Sequence, residues 1–446
     1  MAHRWLVHLL FTSMVFLTGC GTFASIDVAT NKRATTSQND DLKTSFDVKI
    51  DRGSHKKTLV LLALSGGGSR AAYWSGSVML ALEKVYQDEN LNLLKEVDLI
   101  SAVSGGSLPA AYYAISQDPG SEIKARSNRN WDEYTVKKLM SKPYISRWFW
   151  NWFWPSNIAR YWFTSYDRSD IMASTLADNL YDIPITGKNL SIRDINPERP
   201  YLILHATNGS SGHFGDPFTF TTDKFKEICS DLGSYDLSRA VMATASFPAV
   251  FNYMTLYDYS EYGQCSANQR PQRYVHLFDG GNCDNLGLTG VQTAINKNKD
   301  RFTRIVVILV DANILSPGID IHAPDARHYL DYAVDFNFLD SSDSLLRSIR
   351  EKTINATNEV LHHSDPSKVI FYHLGFSDVK KMDSGLYDRL NKVTTNFKIE
   401  DDQKESIDRA VEMLIVKDNT CLQKIKDIIL LGQSDNNKNI GCQWSP

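Results

Sequence analysis

Short apolar runs alternate with amphipathic stretches of helical length through most of the chain. The runs at 59–64 and 304–311 are almost wholly apolar, which is typical of strands buried on both faces of a parallel sheet. Because strand and helix patterns alternate, the sequence predicts a three-layer α/β/α domain with a mainly parallel central sheet. We find neither an internal repeat nor a second domain in the pattern.

The individual elements follow from the same periodicities. The predicted strands are 59–64, 97–103, 201–207, 217–221, 274–277, 304–311 and 368–373, with a further short one at 46–50. The predicted helices are 71–85, 108–116, 171–180, 237–245, 288–297, 341–362, 403–415 and 422–431, and 253–273 is predicted to be a polar surface excursion.

Three successive glycines, Gly66, Gly67 and Gly68, separate the first strand from the first helix. They leave backbone N–H groups uncovered at a helix N-terminus, where the helix dipole favours an anion. An oxyanion hole uses this arrangement, and so does a dinucleotide or phosphate loop. The second alternative is disfavoured, because the chain has neither Gly-Lys-Ser/Thr nor the G-x-G-x-x-G spacing here.

Ser104 lies on a tight turn between the strand 97–103 and the helix 108–116. A serine in that position is typical of a nucleophile elbow, which exposes Oγ and directs nearby amides at a substrate carbonyl. An ordinary helix N-cap is the alternative role for this residue.

Asp279 ends a short strand and is followed by Gly280 and Gly281. A carboxylate held there is well placed to act as a general base. It could instead cap a turn, or join the neighbouring oxygen donors in a calcium loop. No Glu closes the set at EF-hand spacing. The oxygen donors of that alternative are Asp279, Asn282, Asp284 and Asn285.

Taken in order, Gly66-Gly67-Gly68-Ser69-Arg70, Ser104-Gly105-Gly106-Ser107 and Asp279-Gly280-Gly281 resemble the three sequence blocks of the patatin-like phospholipases. The resemblance extends to 245–251 and to Asn396-Phe397, and so covers residues 57–416. It implies a patatin-like fold and a Ser-Asp dyad.

The resemblance also assigns roles to residues. It implies that Ser104 is the nucleophile and Asp279 its only catalytic partner. The backbone amides of Gly66, Gly67 and Gly68 would form the oxyanion hole, with Arg70 holding the loop. Gly106, Gly280 and Gly281 would support the motifs. Ala71 and Ala102 stand where the family usually has glycine.

A histidine would distinguish a Ser-His-acid triad from a dyad. In α/β-hydrolases the histidine comes late in the chain, and five histidines follow Asp279: His322, His328, His362, His363 and His373. None lies in a turn flanked by glycines, so we predict the dyad. The carboxylate alone must then accept the Oγ proton, which requires a water-poor site with a raised Asp pKa or a late proton transfer.

The N-terminus carries a targeting pattern. Residues 1–19 have a basic start and an apolar core too short for a comfortable membrane span, as in a secretory signal. Leu17-Thr18-Gly19-Cys20 resembles a bacterial lipobox, which implies cleavage before Cys20 and lipidation of its thiol. Gly21 rather than an aspartate follows, which favours the outer membrane in a host with two membranes.

The predicted domain limits follow from composition. Polar residues dominate 20–56, which is typical of a flexible tether. The patatin-like domain is then predicted at 57–431 and a C-terminal tail at 432–446.

Charge and cysteine content narrow the function classes. A net charge of −4 over 446 residues, with no long basic run, gives no reason to expect nucleic acid. The motifs require no cofactor and no metal ion. Five of the six cysteines remain once Cys20 is lipidated, so at least one thiol has no partner within the chain. We predict that Cys421 pairs with Cys442 in an oxidising compartment, although spacing does not fix the pairing.

An aromatic insertion at 141–168 holds most of the nine tryptophans, from Trp148 to Trp162. Tryptophan and tyrosine favour the membrane interface, so the insertion could be a membrane dock or an acyl-binding lid over Ser104. It could equally be a buried aromatic subcore, since tryptophans are usually buried.

These features together predict a membrane-anchored serine acyl hydrolase that cleaves acyl esters of phospholipids or lysophospholipids. The first alternative is a lipoprotein that keeps the fold but serves as a non-catalytic lipid-binding or assembly factor. The second is a triad hydrolase acting on small soluble esters.

Overall fold

The structure is a computed structural model that describes residues 29–34, 41–49, 57–122, 124–184, 186–248, 250–261, 264–265, 273–314, 337–363, 369–393, 398–431 and 442. Its central element is a sheet of eight strands. These are β1 (Thr58–Leu64), β2 (Leu99–Val103), β3 (Tyr201–Asn208), β4 (Pro217–Thr219), β5 (Met254–Asp258), β6 (Arg273–Asp279), β7 (Arg304–Asp311) and β8 (Val369–Gly375).

The sheet is mainly parallel, as predicted. Its order is β8-β7-β1-β2-β3-β6-β5, with β4 paired to β3. The strands from β8 to β3 run parallel, whereas β4, β5 and β6 pair antiparallel with their neighbours. The carboxyl ends of β1 and β2 therefore lie at one edge of the sheet. β6 runs the other way, but it overlaps only the last three residues of β3, so its end lies at this edge too, with Asp279 opposite Ala206.

Two apolar layers cover the sheet. Alternate residues of a strand face opposite sides, so Leu62 and Leu64 of β1 belong to one core and Leu61 and Ala63 to the other. All seven residues of β1 are buried, which explains why the run shows no polar alternation. This arrangement confirms the three-layer prediction.

Fifteen helices lie within the described residues. They are α1 (Gly68–Lys84), α2 (Ser107–Ile115), α3 (Glu133–Met140), α4 (Tyr144–Trp152), α5 (Pro155–Phe163), α6 (Arg168–Leu176), α7 (Thr222–Glu227), α8 (Leu237–Thr244), α9 (Gly281–Asp284), α10 (Leu288–Asn298), α11 (Asn337–His363), α12 (Phe376–Val379), α13 (Ser384–Asn391), α14 (Asp401–Leu414) and α15 (Thr420–Leu431). In this part of the chain no helix combines the length and apolarity that a membrane crossing needs.

Three element predictions need correction. The expected surface excursion at 253–273 contains β5, which pairs with β6 along five residues. The expected strand at 46–50 is irregular where it is described. The helix expected at 171–180 begins at Arg168, because Asp167 caps it, and its last turn widens into a π-helical turn at Ala177–Tyr181.

Part of the predicted tether packs on the domain. Lys32–Arg33 pairs antiparallel with Ser230–Asp231, and the neighbouring Asn31 is buried. Phe46 and Val48 are buried in the core on the α10 side of the sheet. Residues 29–34 and 41–49 therefore belong to the folded body rather than to a free tether. The predicted signal, Cys20 and most of the tail lie outside the described residues.

Two disulfides cross-link the described chain. The predicted pair Cys421–Cys442 is confirmed. A second bridge, Cys229–Cys265, was not predicted, because its 36-residue separation carries no spacing signal. Cys283 is the free cysteine among the described residues, and burial raises the pKa of its thiol to about 12.

Candidate active site

Ser104 sits on a sharp turn directly after β2. Its φ of +48° lies in the left-handed region, which costs a non-glycine residue energy. The turn Ser104–Gly106 is a single 3₁₀ turn that leads into α2, and the serine side chain is largely buried. The backbone is thus strained at the residue that sequence reasoning assigned as nucleophile.

The serine turn packs directly on the glycine loop. A Cβ at Gly105 would overlap the carbonyl oxygen of Gly68, and one at Gly106 would come within 2.6 Å of Ser65 O. A Cβ at Gly66 would lie 3.2 Å from Ser104 Cβ. Only glycines let the two backbones approach this closely, so the structure brings the two motifs together.

The three loop amides are not equivalent. Gly66 N–H donates to Asn285 O at 2.9 Å and is therefore engaged. Gly67 (φ +137°) and Gly68 (φ +60°) open α1, and their N–H groups find no hydrogen-bond acceptor among the described residues. Of the three amides predicted to form the oxyanion hole, these two, at the N-terminus of α1, are the ones left available to an anion.

Arg70 is buried and ties the glycine loop to distant backbone. Its Nε donates to Ala312 O at 2.8 Å, and Nη1 donates to Val393 O at 2.6 Å. Ala312 N–H in turn donates to Ser65 Oγ at 2.8 Å. These bonds give Arg70 the loop-holding position that the resemblance implies.

Asp279 ends β6 with its carboxylate directed at Ser104. Ser104 Oγ donates to Asp279 Oδ2 at 2.9 Å, and Gly281 N–H donates to Oδ1 at 2.7 Å. Burial of the carboxylate raises the pKa of Asp279 to about 6, and the two hydrogen bonds oppose that rise. A carboxylate with a raised pKa is the stronger base that a dyad requires.

Neighbouring atoms leave no room for a Cβ at the two glycines that follow Asp279. A Cβ at Gly280 would overlap His205 O, and one at Gly281 would lie 2.9 Å from Asn285 Oδ1. Asn285 therefore lies against both Gly66 and Gly281. Sequence reasoning quoted this residue only as an oxygen donor and missed its contact with the glycine loop, which no local pattern signals.

The alanines at the family's glycine positions fit the geometry. Ala71 lies within α1 and Ala102 within β2, and both are fully buried. Neither has a positive φ. The two positions require small side chains, and alanine satisfies them.

The histidines that can be located do not reach the pair. His373 contacts Asp311 at 3.1 Å and Asp378 at 3.3 Å. His205 contacts Ser101 Oγ at 2.8 Å. The candidates His322 and His328, and the side chains of His362 and His363, lie outside the described residues.

The two carboxylates of the calcium alternative, Asp279 and Asp284, are engaged within the protein. Asp284 accepts hydrogen bonds from the backbone amides of Leu286 at 3.0 Å and Thr289 at 2.6 Å. Asp279 accepts from Ser104 and Gly281 as above. Across the described residues, no group of three or more His, Cys, Asp or Glu side chains is placed to hold a metal ion.

Comparisons with solved structures find similar chains. Human GIVD cytosolic phospholipase A2 is 12% identical, with a TM-score of 0.46 over 87% of this chain and 62% of that one. The chain therefore spans less than two thirds of that enzyme's length. VipD from Legionella pneumophila is 13% identical, with a TM-score of 0.30 over 89% of this chain and 72% of that one. A structure of SpcU with ExoU from the type III secretion system of Pseudomonas aeruginosa gives 14% identity and a TM-score of 0.23, over 90% of this chain and 81% of that one.

The sequence itself matches a protein family. No curated protein matches the chain. The family model described as patatin-like phospholipase, however, matches residues 62–291, which is more than half of the chain and runs from the glycine loop past Asp279. The chain belongs to the patatin-like phospholipase family.

Proposed function

We propose that this protein is a membrane-anchored serine acyl hydrolase that cleaves acyl esters of phospholipids or lysophospholipids. The family supports a lipid acyl hydrolase. The observation that carries the assignment of residues is the 2.9 Å hydrogen bond from Ser104 Oγ to Asp279. Beside it lie the amides of Gly67 and Gly68, which bond to no acceptor in the described part of the chain.

In the first half-reaction Ser104 Oγ attacks the ester carbonyl carbon while its proton passes to Asp279 Oδ2. The carbonyl oxygen becomes an oxyanion, which the N–H groups of Gly67 and Gly68 stabilise. The intermediate then collapses, the ester C–O bond breaks, and Asp279 returns the proton to the leaving alcohol. The products are an acyl-serine and the alcohol.

In the second half-reaction a water molecule attacks the acyl-serine carbonyl and gives one proton to Asp279. The same amides hold the second oxyanion. Its collapse breaks the bond to Ser104 Oγ, which takes the proton back from Asp279. The fatty acid leaves, and the enzyme returns to its starting state with one water consumed.

Fluorophosphonate labelling of the purified protein tests the assignment. We expect the wild type to label and Ser104→Ala not to label. Asp279→Asn should label far more slowly, since no base accepts the proton. Ser384→Ala, which changes an exposed serine on α13, is the matched control and should label like the wild type. Mass spectrometry of released fatty acid and lysolipid then identifies the acyl position.

A folded wild type that neither labels nor releases fatty acid would overturn the hydrolase proposal. It would favour a non-catalytic lipid-binding or assembly lipoprotein instead. Loss of both labelling and turnover on replacement of a late histidine would favour the triad hydrolase, because that histidine would then be the base that activates Ser104.

The membrane anchor is a separate part of the proposal. Leu17-Thr18-Gly19-Cys20 supports lipidation of Cys20, and Gly21 supports the outer membrane of a two-membrane host. Two disulfides fit an oxidising compartment. Mass spectrometry should find acyl chains on the mature wild type and none on Cys20→Ser. An equal mass shift in both would contradict the anchor.

A further inference from the structure

The aromatic insertion folds into two short helices, α4 and α5, which we call the aromatic hairpin (residues 144–163). Its inner side is held by aromatic contacts. Trp148 is buried, with its ring 5.3 Å from Trp152, and Trp152 lies 5.3 Å from Tyr161. Trp148 Nε1 also donates to Arg168 O at 2.9 Å. The hairpin is therefore fixed to the domain through one side.

The outer side of the hairpin is aromatic and exposed. Trp150 is 73% exposed, Trp154 66% and Trp162 60%. The other large apolar residues exposed on this side are Phe149, Phe153, Ile158 and Phe163. The subcore interpretation of the insertion thus holds for its inner side, whereas the outer side carries exposed aromatic rings. A cluster of exposed apolar side chains of this kind marks an interaction site.

α5 is the most exposed part of the hairpin. None of its nine residues is buried, although four of them are Ile158, Tyr161, Trp162 and Phe163. A helix this short is marginal in water on its own. Because the apolar side chains of α5 are exposed to water, covering them would lower the free energy of the protein.

The charge around the hairpin indicates what covers it. Between residues 134 and 166 the chain has five basic residues and no Asp or Glu. Arg147 and Arg160 are exposed on the hairpin itself. Burial lowers the pKa of Lys142 at the base of the hairpin, and the positive charges of Arg147, Arg129 and Lys138 lower it further. Aromatic side chains interspersed with cations match an anionic membrane surface, where rings occupy the headgroup level and cations meet lipid phosphates.

The hairpin packs against a segment that also bonds to the end of β6. The Trp148 ring lies 5.6 Å from that of Phe251. Phe251 ends the segment whose Ser246 O accepts the backbone N–H of Asp279 at 3.0 Å. The hairpin is thus tied through Phe251 to the segment that holds the end of β6.

We propose that the aromatic hairpin is a docking surface for a bilayer rich in anionic phospholipid, with the exposed aromatic rings inserted at the headgroup level. The docking itself does not depend on the proposed hydrolase activity. The idea that this docking delivers substrate to Ser104 rests on the proposed hydrolase function.

Tryptophan quenching by bilayer lipid tests the docking without turnover. We would reconstitute the full chain carrying Ser104→Ala in vesicles of phosphatidylethanolamine and phosphatidylglycerol. A fraction of the lipid would carry bromine in its acyl chains. We expect strong quenching, which falls several-fold when phosphatidylcholine replaces phosphatidylglycerol. The charge reversal Arg147→Glu with Arg160→Glu retains every tryptophan and should lose most of the quenching.

A matched charge reversal serves as control. Lys297→Glu with Lys299→Glu changes two exposed cations at the end of α10, which packs on the other face of the sheet. This variant should quench like its parent. Equal quenching in the hairpin reversal and its parent, or no quenching in the parent, would overturn the proposal. Self-association in sedimentation that the hairpin reversal abolishes, with no quenching, would identify a second copy as the occupant instead.

The aromatic residues have their own test in the active chain. Trp150→Ala with Trp154→Ala and Trp162→Ala should lower turnover of vesicle phospholipid at least several-fold while leaving turnover of a soluble short-chain ester unchanged. Phe214→Ala, which removes a 74% exposed ring elsewhere, is the control. Parallel loss on both substrates would contradict an interfacial role. Activity on neither substrate in the parent would count against the hydrolase and leave the quenching result intact.

Discussion

At the scale of single residues, the burial of Asp279 gives the chemistry a pH dependence. The proposed base works only when ionised, and its pKa is raised to about 6 by burial. We therefore expect kcat/KM for a soluble ester to fall roughly tenfold per pH unit below about 6 and to be level above it. A pH–rate profile measures this. A midpoint near 4 would indicate a solvated carboxylate and contradict the buried base.

Gly105 provides a second prediction at this scale. A Cβ there would overlap the backbone of Gly68, which no side-chain rotation can relieve. We expect Gly105→Ala to abolish fluorophosphonate labelling and to lower the thermal midpoint of unfolding. The matched control is Gly385→Ala in α13, where the nearest atom to the new Cβ lies 3.5 Å away. It should label normally and unfold at the same or a slightly higher temperature. Equal effects of both changes would contradict the close packing of the two turns.

Sequence reasoning located Ser104, Asp279 and the glycine loop because each lies at the end of a strand and carries glycines required by crowding. It could not find the bond from Gly66 N–H to Asn285 O, nor the carbonyls of Ala312 and Val393 that hold Arg70. These partners are backbone atoms far away in the sequence. A backbone acceptor leaves no trace in residue type, so only the fold reveals it.

At the scale of elements, a charged cluster joins the end of β7 to its neighbours. Arg350 of α11 and His373 of β8 contact Asp311 at 2.7 and 3.1 Å, and His373 also contacts Asp378 of α12. The residue after Asp311 is Ala312, which holds both Ser65 and Arg70. The cluster therefore fixes the strand end on which the glycine loop depends.

This cluster predicts a loss of stability at alkaline pH. Hydrogen bonds to Asp311 and Asp378 raise the pKa of His373 to about 9, against the effect of burial. A raised histidine pKa gives stability that is complete below about 6.5 and is lost as pH rises through about 9. Denaturant unfolding at several pH values should show this decline in the wild type and a flatter profile in His373→Gln. Parallel declines in both proteins would exclude His373 as the source.

The elements differ in how well the sequence predicts them. β1 and β7 are buried on both faces and read as unbroken apolar runs. The helices that the sequence did not predict have nine residues or fewer, too short for a helical period to stand out. They are α3, α4, α5, α7, α9, α12 and α13. β5 was missed because only alternate residues of Met254–Asp258 are buried and its neighbourhood is polar. Tertiary pairing with β6, rather than local preference, determines that strand.

At the scale of the whole molecule, the disulfides predict a dependence on redox state. The Cys229–Cys265 bridge links the residues just after α7 to Gln264–Cys265, which pairs antiparallel with Ser260–Glu261 beyond β5. Its removal by Cys229→Ser with Cys265→Ser should lower the free energy of unfolding by about 2–4 kcal/mol. Denaturant titration measures the loss, and reduction of the wild type should produce at least as large a loss. Cys283→Ser, which breaks no bridge, is the control. Equal stability of the double variant and the wild type would show that the bridge is dispensable.

Arg70 joins the glycine loop to a part of the chain that is far away in the sequence. Its guanidinium bonds to Val393 O, a partner 323 positions along the chain. Contacts of such long range form late, because the intervening chain must first be ordered. The glycine loop therefore reaches its final conformation only after most of the polypeptide has folded. A chain that has not yet placed Val393 against Arg70 would therefore lack the proposed activity, however complete its N-terminal half.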